Sequence, residues 1–514
     1  MSSPPLAYAQ VAADASARGS WLDRLLSPGG VAAFWTAYCV LHIALRVFMS
    51  STLSLDDGRA GETAQELALG YQVRQPPLYS WLLWSVQRLI GPGLLSHLLL
   101  RYTMIALIGI ATYGATLAAC KDRRWAAVAS LSLIFTYSVG WTFHEWATET
   151  LLLSIACLVT LQTAIRFIER PDWSSATWLG LAIGLGLMSK FSYPLCLVGL
   201  VLAVASLPDV RRRLLDRRLL LSGAIALTML SPYVWWLASV HGDLVGTASA
   251  HLIDTGQGHL RRVVTGLIRL VWSVPAFVMP WLAVVALLAP AAFWRGQTPH
   301  EPASVAERIT WRTMVIGVVL MAIGIAAIGA TNIGERYMHP VLMIAPVYVF
   351  ARIARFAAIE IQGRRLAIAV LAAVVAMLPV RVLSFENEIF GRPTRQHAAP
   401  IAGLAHILSE RGLTDGTFVT GSARVAGNLR QFLPNVRYIA LDTFRARHPP
   451  RRASDDRSCV LVWNAVEEGA ARAAASEEAA RAERIDVAAP SVLGGIRRGT
   501  WFVVRLDPRA AICS

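Results

Sequence analysis

The sequence predicts a polytopic α-helical membrane protein that ends in a small α/β domain. Three observations carry that reading: the balance of apolar and charged residues, about eleven apolar runs near spanning length, and a change of composition after Leu383. Of 514 residues, 55% are hydrophobic and 16% charged, and mean hydropathy is +0.49. A soluble protein is nearer a quarter charged, so a water-soluble enzyme is excluded, as is intrinsic disorder. Six cysteines in 514 residues are too sparse for a disulfide-framed secreted domain.

Basic residues outnumber acidic ones, 48 to 33, for a formal charge of +15, and only Lys121 and Lys190 are lysine. The arginines sit mostly between apolar blocks, where they orient a membrane protein. No basic–aromatic array lies on a polar domain, so nucleic acid is not an expected partner.

Residues 1–30 are polar and lack the charged, apolar and small-residue regions of a signal peptide, so they read as a cytoplasmic N-terminal segment. Apolar runs follow at 31–50, 94–119, 125–143, 147–167, 177–188, 193–207, 219–240, 263–293, 311–331, 341–356 and 366–383. They define a transmembrane domain over 31–383, with a tight turn at Ser189-Lys190-Phe191-Ser192. Placing the N-terminus inside puts the denser basic connections inside as well. An odd number of spans then puts residues 384–514 outside. In that segment 417–420, 436–441, 459–463 and 501–506 read as strands, and 401–411, 423–432 and 466–483 as helices.

Polar residues of interest collect on the outer face. The first outer loop carries Asp56-Asp57, then Leu69-Gly70-Tyr71, then Gln75-Pro76-Pro77-Leu78-Tyr79-Ser80-Trp81. Adjacent carboxylates beside a membrane helix need water or a partner. Such a pair can raise one member's pKa, which suits a general base; a solvated acidic loop is the bland alternative. Cys39, Cys120, Cys157 and Cys196 read as packing residues. Cys459 and Cys513 fall where a disulfide is permitted, and sequence leaves that pairing open. His241, Asp243, His251, Asp254 and His259 fit no zinc spacing, and their loop is expected to cover the outer cavity. The turn Gly421 to Gly427 lacks the dinucleotide fingerprint.

The first outer loop resembles that of bacterial GT-C glycosyltransferases that use polyprenyl-phosphate sugars. These include the protein mannosyltransferase-like family, the aminoarabinose transferases of lipid A and the galacturonosyltransferases of lipopolysaccharide. The segments Gly180 to Ser192 and Glu335-Arg336-Tyr337-Met338-His339-Pro340 are similar to later elements of that family. The resemblance covers about residues 31–360.

It implies inverting transfer of a sugar from a polyprenyl-phosphate donor to a periplasmic-face acceptor, which is lipid A, an envelope glycan, a lipid or a protein. Asp56 matches the family's leading Asp and is the expected base. Asp57, where relatives carry Glu, would orient the acceptor or join a metal site. A divalent cation (Mg or Mn) would be a hard-oxygen site at this pair, and some relatives work without one. Physical reasoning adds that a lipid phosphate needs cationic donors, for which Lys190, Arg336 and Arg101 are the candidates. Tyr79, His144, Glu149, Glu335 and Tyr337 are expected to line the substrate cavity. A lipid-linked sugar flippase or secondary transporter is the alternative. It would place ionisable residues at mid-bilayer on broken helices, and here they sit at the outer ends of runs.

Overall fold

The computed structural model describes residues 21–73, 75–240, 252–254, 256–290, 293, 302–356, 359–386, 397, 399–443, 445–451, 455, 457–490, 492, 494 and 496–513. Helix α1 (Pro28–Met49) starts at Ser27, whose hydroxyl accepts from Gly30 N, with Pro28 at the first helical position. After it come a short helix, α2 (Leu55–Thr63), then α3 (Leu78–Ile90) and α4 (Leu94–Cys120). α1 and α4 touch closely because position 109 is glycine: a Cβ there would lie 2.1 Å from the Trp35 ring. The Trp35 indole donates to Ser130 Oγ at 2.9 Å, so its only polar atom is satisfied in the core.

Many side chains on the bundle exterior are apolar: Phe48, Leu220, Trp235 and Trp272 are each 71–77% exposed. In water each would forgo about 1.5–3 kcal/mol of burial, whereas in a bilayer they face their preferred solvent. Among the described residues, six helices are long and apolar enough to cross a membrane, or up to eight if each of two bent pairs counts as one span. This corrects the expected eleven. The runs at 177–188 and 193–207 form helices of only 15 and 13 residues, Trp173–Leu187 and Tyr193–Ala205. At 1.5 Å per residue these reach roughly 20 Å, short of a hydrocarbon core of about 30 Å. The run at 341–356 splits into His339–Leu342 and Ala345–Ile353. The runs at 125–143 and 263–293 form the bent pairs, with angles of 62° and 49°. Apolar composition records total length but not where a helix breaks.

The two ends of α1 lie in different surroundings. Asp23, just before it, pairs with Arg124 at 2.9 Å. At its other end Met49 O accepts from Arg497 (3.1 Å) and Ser50 Oγ donates to His397 O (2.6 Å). Residues 21–25 and the C-terminal domain therefore sit at opposite ends of the bundle.

The C-terminal domain holds a five-stranded sheet of order β2-β1-β3-β5-β4, with β1 Thr417–Thr420, β2 Arg437–Ala440, β3 Cys459–Asn464, β4 Glu483–Pro490 and β5 Ile496–Leu506. β1 pairs parallel to β2 and β3, and β5 pairs antiparallel to β3 and β4. The stretch expected as one helix over 466–483 breaks into Glu468–Ala474 and Ser476–Ala480, and β4 follows unexpectedly. In β4 only Ile485 and Val487 are buried, between exposed Arg484, Asp486 and Ala488. So short an alternation at a sheet edge is hard to see beside Ala-rich helix. Cys459 and Cys513 form a disulfide.

The domain docks on α2 through its own helix Ala423–Arg430. The contact is glycine against glycine: a Cβ on Gly427 would sit 1.9 Å from Gly58 O. Asn428 accepts from Leu53 N at 2.7 Å, and Arg430 donates to Gly61 O at 2.8 Å and Gln87 Oε1 at 2.6 Å. These bonds join residues more than 340 positions apart, and they bring the domain over the first outer loop.

Candidate active site

A cavity of about 340 Å³ opens where α2 meets the sheet domain. α2 is capped by Ser54, whose Oγ accepts from Asp57 N at 3.3 Å, and both aspartates lie in its first turn. Carboxylates there suit the positive end of the helix dipole. Successive helical side chains diverge by about 100°, so the two cannot serve one point in space.

Asp56 lines the cavity, and its Oδ2 accepts from the backbone N of Ala147 at 3.1 Å. Asp57 turns inward and is 5% exposed. Its Oδ1 accepts from Arg101 Nη2 at 2.6 Å and its Oδ2 from Ser54 Oγ at 2.9 Å. Burial alone would raise the Asp57 pKa, but the Arg101 charge beside it, together with His97 and these hydrogen bonds, holds it below the ordinary carboxylate range. The expected hard-oxygen metal site at the pair does not fit this arrangement, because both Asp57 oxygens are already bound to protein donors. Among the described residues no group of three His, Cys, Asp or Glu side chains could hold a metal ion.

Lys190 enters the cavity from the turn between the two short helices, where its Nζ donates to Thr150 Oγ1 at 2.8 Å. Burial pushes its ammonium below the ordinary lysine range, with Glu149 and Asp56 pulling it back and Arg336 adding to the push. Arg336 and Tyr337 come from the 3-10 turn Glu335–Met338, and the Arg336 guanidinium lies 5.1 Å from the Tyr337 ring and 6.0 Å from that of Trp146. Other charges on the walls are paired: Arg445 with Glu62 (3.3 Å) and with Glu66, and Arg59 with Asp442 (3.6 Å). Burial raises both the Glu62 and Glu66 pKa, opposed in each case by Arg445. Among the described residues Asp56, Glu149, Lys190 and Arg336 make no side-chain ion pair, and all four face the same space.

Residues 74–236 match the dolichyl-phosphate-mannose-protein mannosyltransferase family. Over 443 residues the chain is 29% identical to the lipopolysaccharide core galacturonosyltransferase RgtA of Rhizobium johnstonii, covering 83% of this chain and 85% of the relative. It is 27% identical over 454 residues to RgtB of the same organism, covering 86% and 87%. The fold is that of ArnT from Cupriavidus metallidurans. The crystal structure of ArnT bound to undecaprenyl phosphate superposes with a TM-score of 0.60 at 16% identity, covering 94% of this chain and 98% of that one. The apo structure gives 0.53 at 14%, covering 92% and 98%. The chain is a membrane glycosyltransferase of the GT-C type, related to these proteins. The transporter alternative is thereby set aside.

Of the residues singled out from sequence, the glycosyltransferase brings Asp56, Lys190, Arg336, Glu149 and Tyr337 together around the cavity. Asp57, Arg101, Tyr79, His144 and Glu335 are not on its walls. Arg101 is 1% exposed and donates through Nη1 to Phe143 O (2.6 Å) and Trp146 O (3.2 Å), so the guanidinium expected to meet donor phosphate is spent on protein acceptors. Tyr79 is 1% exposed. His144 is bonded to Tyr38 Oη (2.7 Å) and Tyr102 Oη (3.1 Å) in an aromatic cluster with His42. Glu335 begins the 3-10 turn, one residue before the side chains that reach the cavity.

Sequence reasoning missed Arg59, Glu62, Gln75, Trp146 and His339, and the wall supplied by Ala423, Asp442, Thr443 and Arg445 of the C-terminal domain. His339 stood inside the quoted Glu335 to Pro340 segment and Gln75 inside the quoted Gln75 to Trp81 segment, so these two were legible. The loop expected to cover the cavity falls largely outside the described residues, including His241, Asp243 and His251. Asp254 binds Gly256 N (3.1 Å) and Gln257 (2.8 Å) of its own turn, and His259 binds Ala326 O at 3.1 Å. At the glycine turn, Ala423 N donates to Asp442 Oδ1 (2.6 Å) and Ser422 Oγ to Glu467, so the chain's own carboxylates occupy the place a nucleotide phosphate would need.

Proposed function

We propose that the protein transfers a sugar from a polyprenyl-phosphate donor to a hydroxyl of an acceptor at the extracytoplasmic face of the bacterial inner membrane, with inversion and with Asp56 as general base. The observation that carries this reading is the grouping of Asp56 with Lys190 and Arg336, none of them ion-paired, around one cavity. The acceptor oxygen attacks the anomeric carbon while its proton passes to Asp56. The bond from that carbon to the phosphate oxygen breaks, and its electron pair leaves with the lipid phosphate. Lys190 and Arg336 hold that phosphate and stabilise the charge that develops on it. A single displacement inverts the anomeric centre. Glu149 and Tyr337 bound the sugar.

Galacturonic acid is the proposed sugar and a lipopolysaccharide core the proposed acceptor, supported by what the two Rhizobium relatives are named for. Orientation is supported by the Cys459–Cys513 disulfide, which lies at the cavity end of the bundle and belongs to an oxidising compartment. It is also supported by Lys121, Arg124 and Arg308, whose ion pairs with Glu169, Asp23 and Asp209 lie at the opposite end.

The test supplies purified protein with radiolabelled polyprenyl-phosphate galacturonic acid and lipopolysaccharide core. Wild type moves label to the core, and Asp56→Asn, expressed at the same level, loses at least about 100-fold in kcat. Normal transfer by Asp56→Asn would remove Asp56 from the role of base.

A further inference from the structure

We propose that Asp57 and Arg101 are positioning residues for Asp56, acting through the backbone amide of Ala147. This rests on the reading of Asp56 as the base. The chain of contacts is continuous. Ser54 and Arg101 fix the Asp57 carboxylate at 2.9 and 2.6 Å. The other terminal nitrogen of Arg101 donates to Phe143 O at 2.6 Å and Trp146 O at 3.2 Å. Those carbonyls belong to the turn that ends in Ala147, and Ala147 N donates to Asp56 Oδ2 at 3.1 Å.

Ala147 is the strained link. Its φ is +89°, and among the described residues only one other non-glycine residue, Lys121, has positive φ. Lys121 is an ordinary left-handed helix cap with φ 59° and ψ 10°. Ala147 caps no helix and sits on the cavity wall. A side chain is held in such a conformation only where its surroundings over-determine it, and here the double grip of Arg101 on the two carbonyls does so. The result suits a base: Oδ2 of Asp56 is pinned by an N–H, and among the described residues Oδ1 makes no hydrogen bond, which leaves it for the acceptor hydroxyl. Asp57 and Arg101 touch neither the cavity nor anything in it, so their effect on transfer passes through this turn.

The experiment measures kcat and donor KM for Arg101→Lys, Ala147→Val, Ala147→Gly and the double variant Arg101→Lys/Ala147→Gly, beside Asp56→Asn. Thermal unfolding and gel filtration in detergent check each for folding. A lysine places all its donors on one nitrogen and cannot span acceptors that Arg101 reaches with two, Nη1 and Nη2, and a β-branched residue resists positive φ. Both single variants should therefore lower kcat roughly 10- to 100-fold with donor KM within about threefold, the scale set by misplacing a reacting group by about an ångström. Glycine accepts the turn without strain. Ala147→Gly should lose less kcat than Ala147→Val, and in the double variant it should restore most of the kcat lost in Arg101→Lys.

A rise in donor KM at unchanged kcat for Arg101→Lys would overturn the proposal and make Arg101 a phosphate ligand. Unchanged kcat in Ala147→Val, or no recovery in the double variant, would reduce the network to a structural ion pair. If Arg101→Lys does not fold, Ala147→Val against Ala147→Gly decides alone. Full activity of Asp56→Asn would instead overturn the base assignment, whatever the other variants do.

Discussion

Lys190 is one of only two lysines in the chain, and its surroundings make it sensitive to pH. Burial holds its pKa below that of free lysine, so the ammonium is lost at a lower pH than usual. Under the proposed role of Lys190, a phosphodiester bound beside it would favour the charged form and link donor binding to proton uptake on the alkaline side. Donor KM should rise with pH before an ordinary lysine would titrate, and Lys190→Arg should abolish that rise, as read from initial rates across alkaline buffers. Asp57 works with the opposite sign. Its folded pKa lies below the unfolded one, so the stability it contributes is complete above the ordinary carboxylate range and is lost as pH falls through the folded pKa. Asp57→Asn should flatten the acid side of a stability–pH curve measured by thermal unfolding. Asp56 and Lys190 were legible because each is a rare ionisable group at the end of an apolar run. The different surroundings of Asp56 and Asp57 were not, since they depend on which helical direction meets Arg101, 44 residues away.

α2 and the domain helix Ala423–Arg430 approach as closely as two backbones can. Gly427 faces Gly58 O, and Gly58 faces Arg424 Cα at 2.8 Å from where a Cβ would stand. The obstacle in each case is backbone, which cannot rotate aside. Gly427→Ala should therefore cost about 1–3 kcal/mol of stability, the range for overpacking, and lower transfer along with it. Thermal unfolding beside activity checks this, and Gly469→Ala, where a Cβ would meet nothing within 4 Å, serves as the control. The strands β1, β2 and β3 were visible as short apolar runs, and the helices 401–410 and 423–430 as amphipathic ones. β4 escaped notice because two buried residues in eight leave little pattern. The membrane part was misread for a related reason. Every apolar run is helical somewhere, yet among the described residues only six to eight segments reach spanning length, because breaks at residues 136–137, 279–280 and 343–344 carry no signal in hydropathy.

Across the whole molecule, bundle and sheet domain are joined at the first outer loop. Arg430, Asn428 and Arg445 reach from the domain to backbone or carboxylate groups of the first outer loop. The tail of the domain is tied back by the Cys459–Cys513 bridge across a separation of 54 residues. A loop of that length contributes about 4 kcal/mol by the chain-entropy estimate, so Cys513→Ser, or reduction of wild type, should lower the unfolding temperature to the same extent, with no additive effect of reductant on the variant. The membrane class was open to sequence reading, since composition is a summed property. The wall formed by Asp442, Thr443 and Arg445 was closed to it, because nothing local in residues 442–445 announces a partner some 380 positions earlier.

That shared wall has a consequence for biosynthesis. Translation and insertion of the first 386 residues yield every helix of the bundle, with Asp56, Lys190 and Arg336 already made. The cavity still lacks a side until β2 and the segment after it have emerged and paired with β1. A ribosome that stops early thus leaves the bundle in the membrane with this cavity open on the side that Ala423, Asp442, Thr443 and Arg445 close in the full chain.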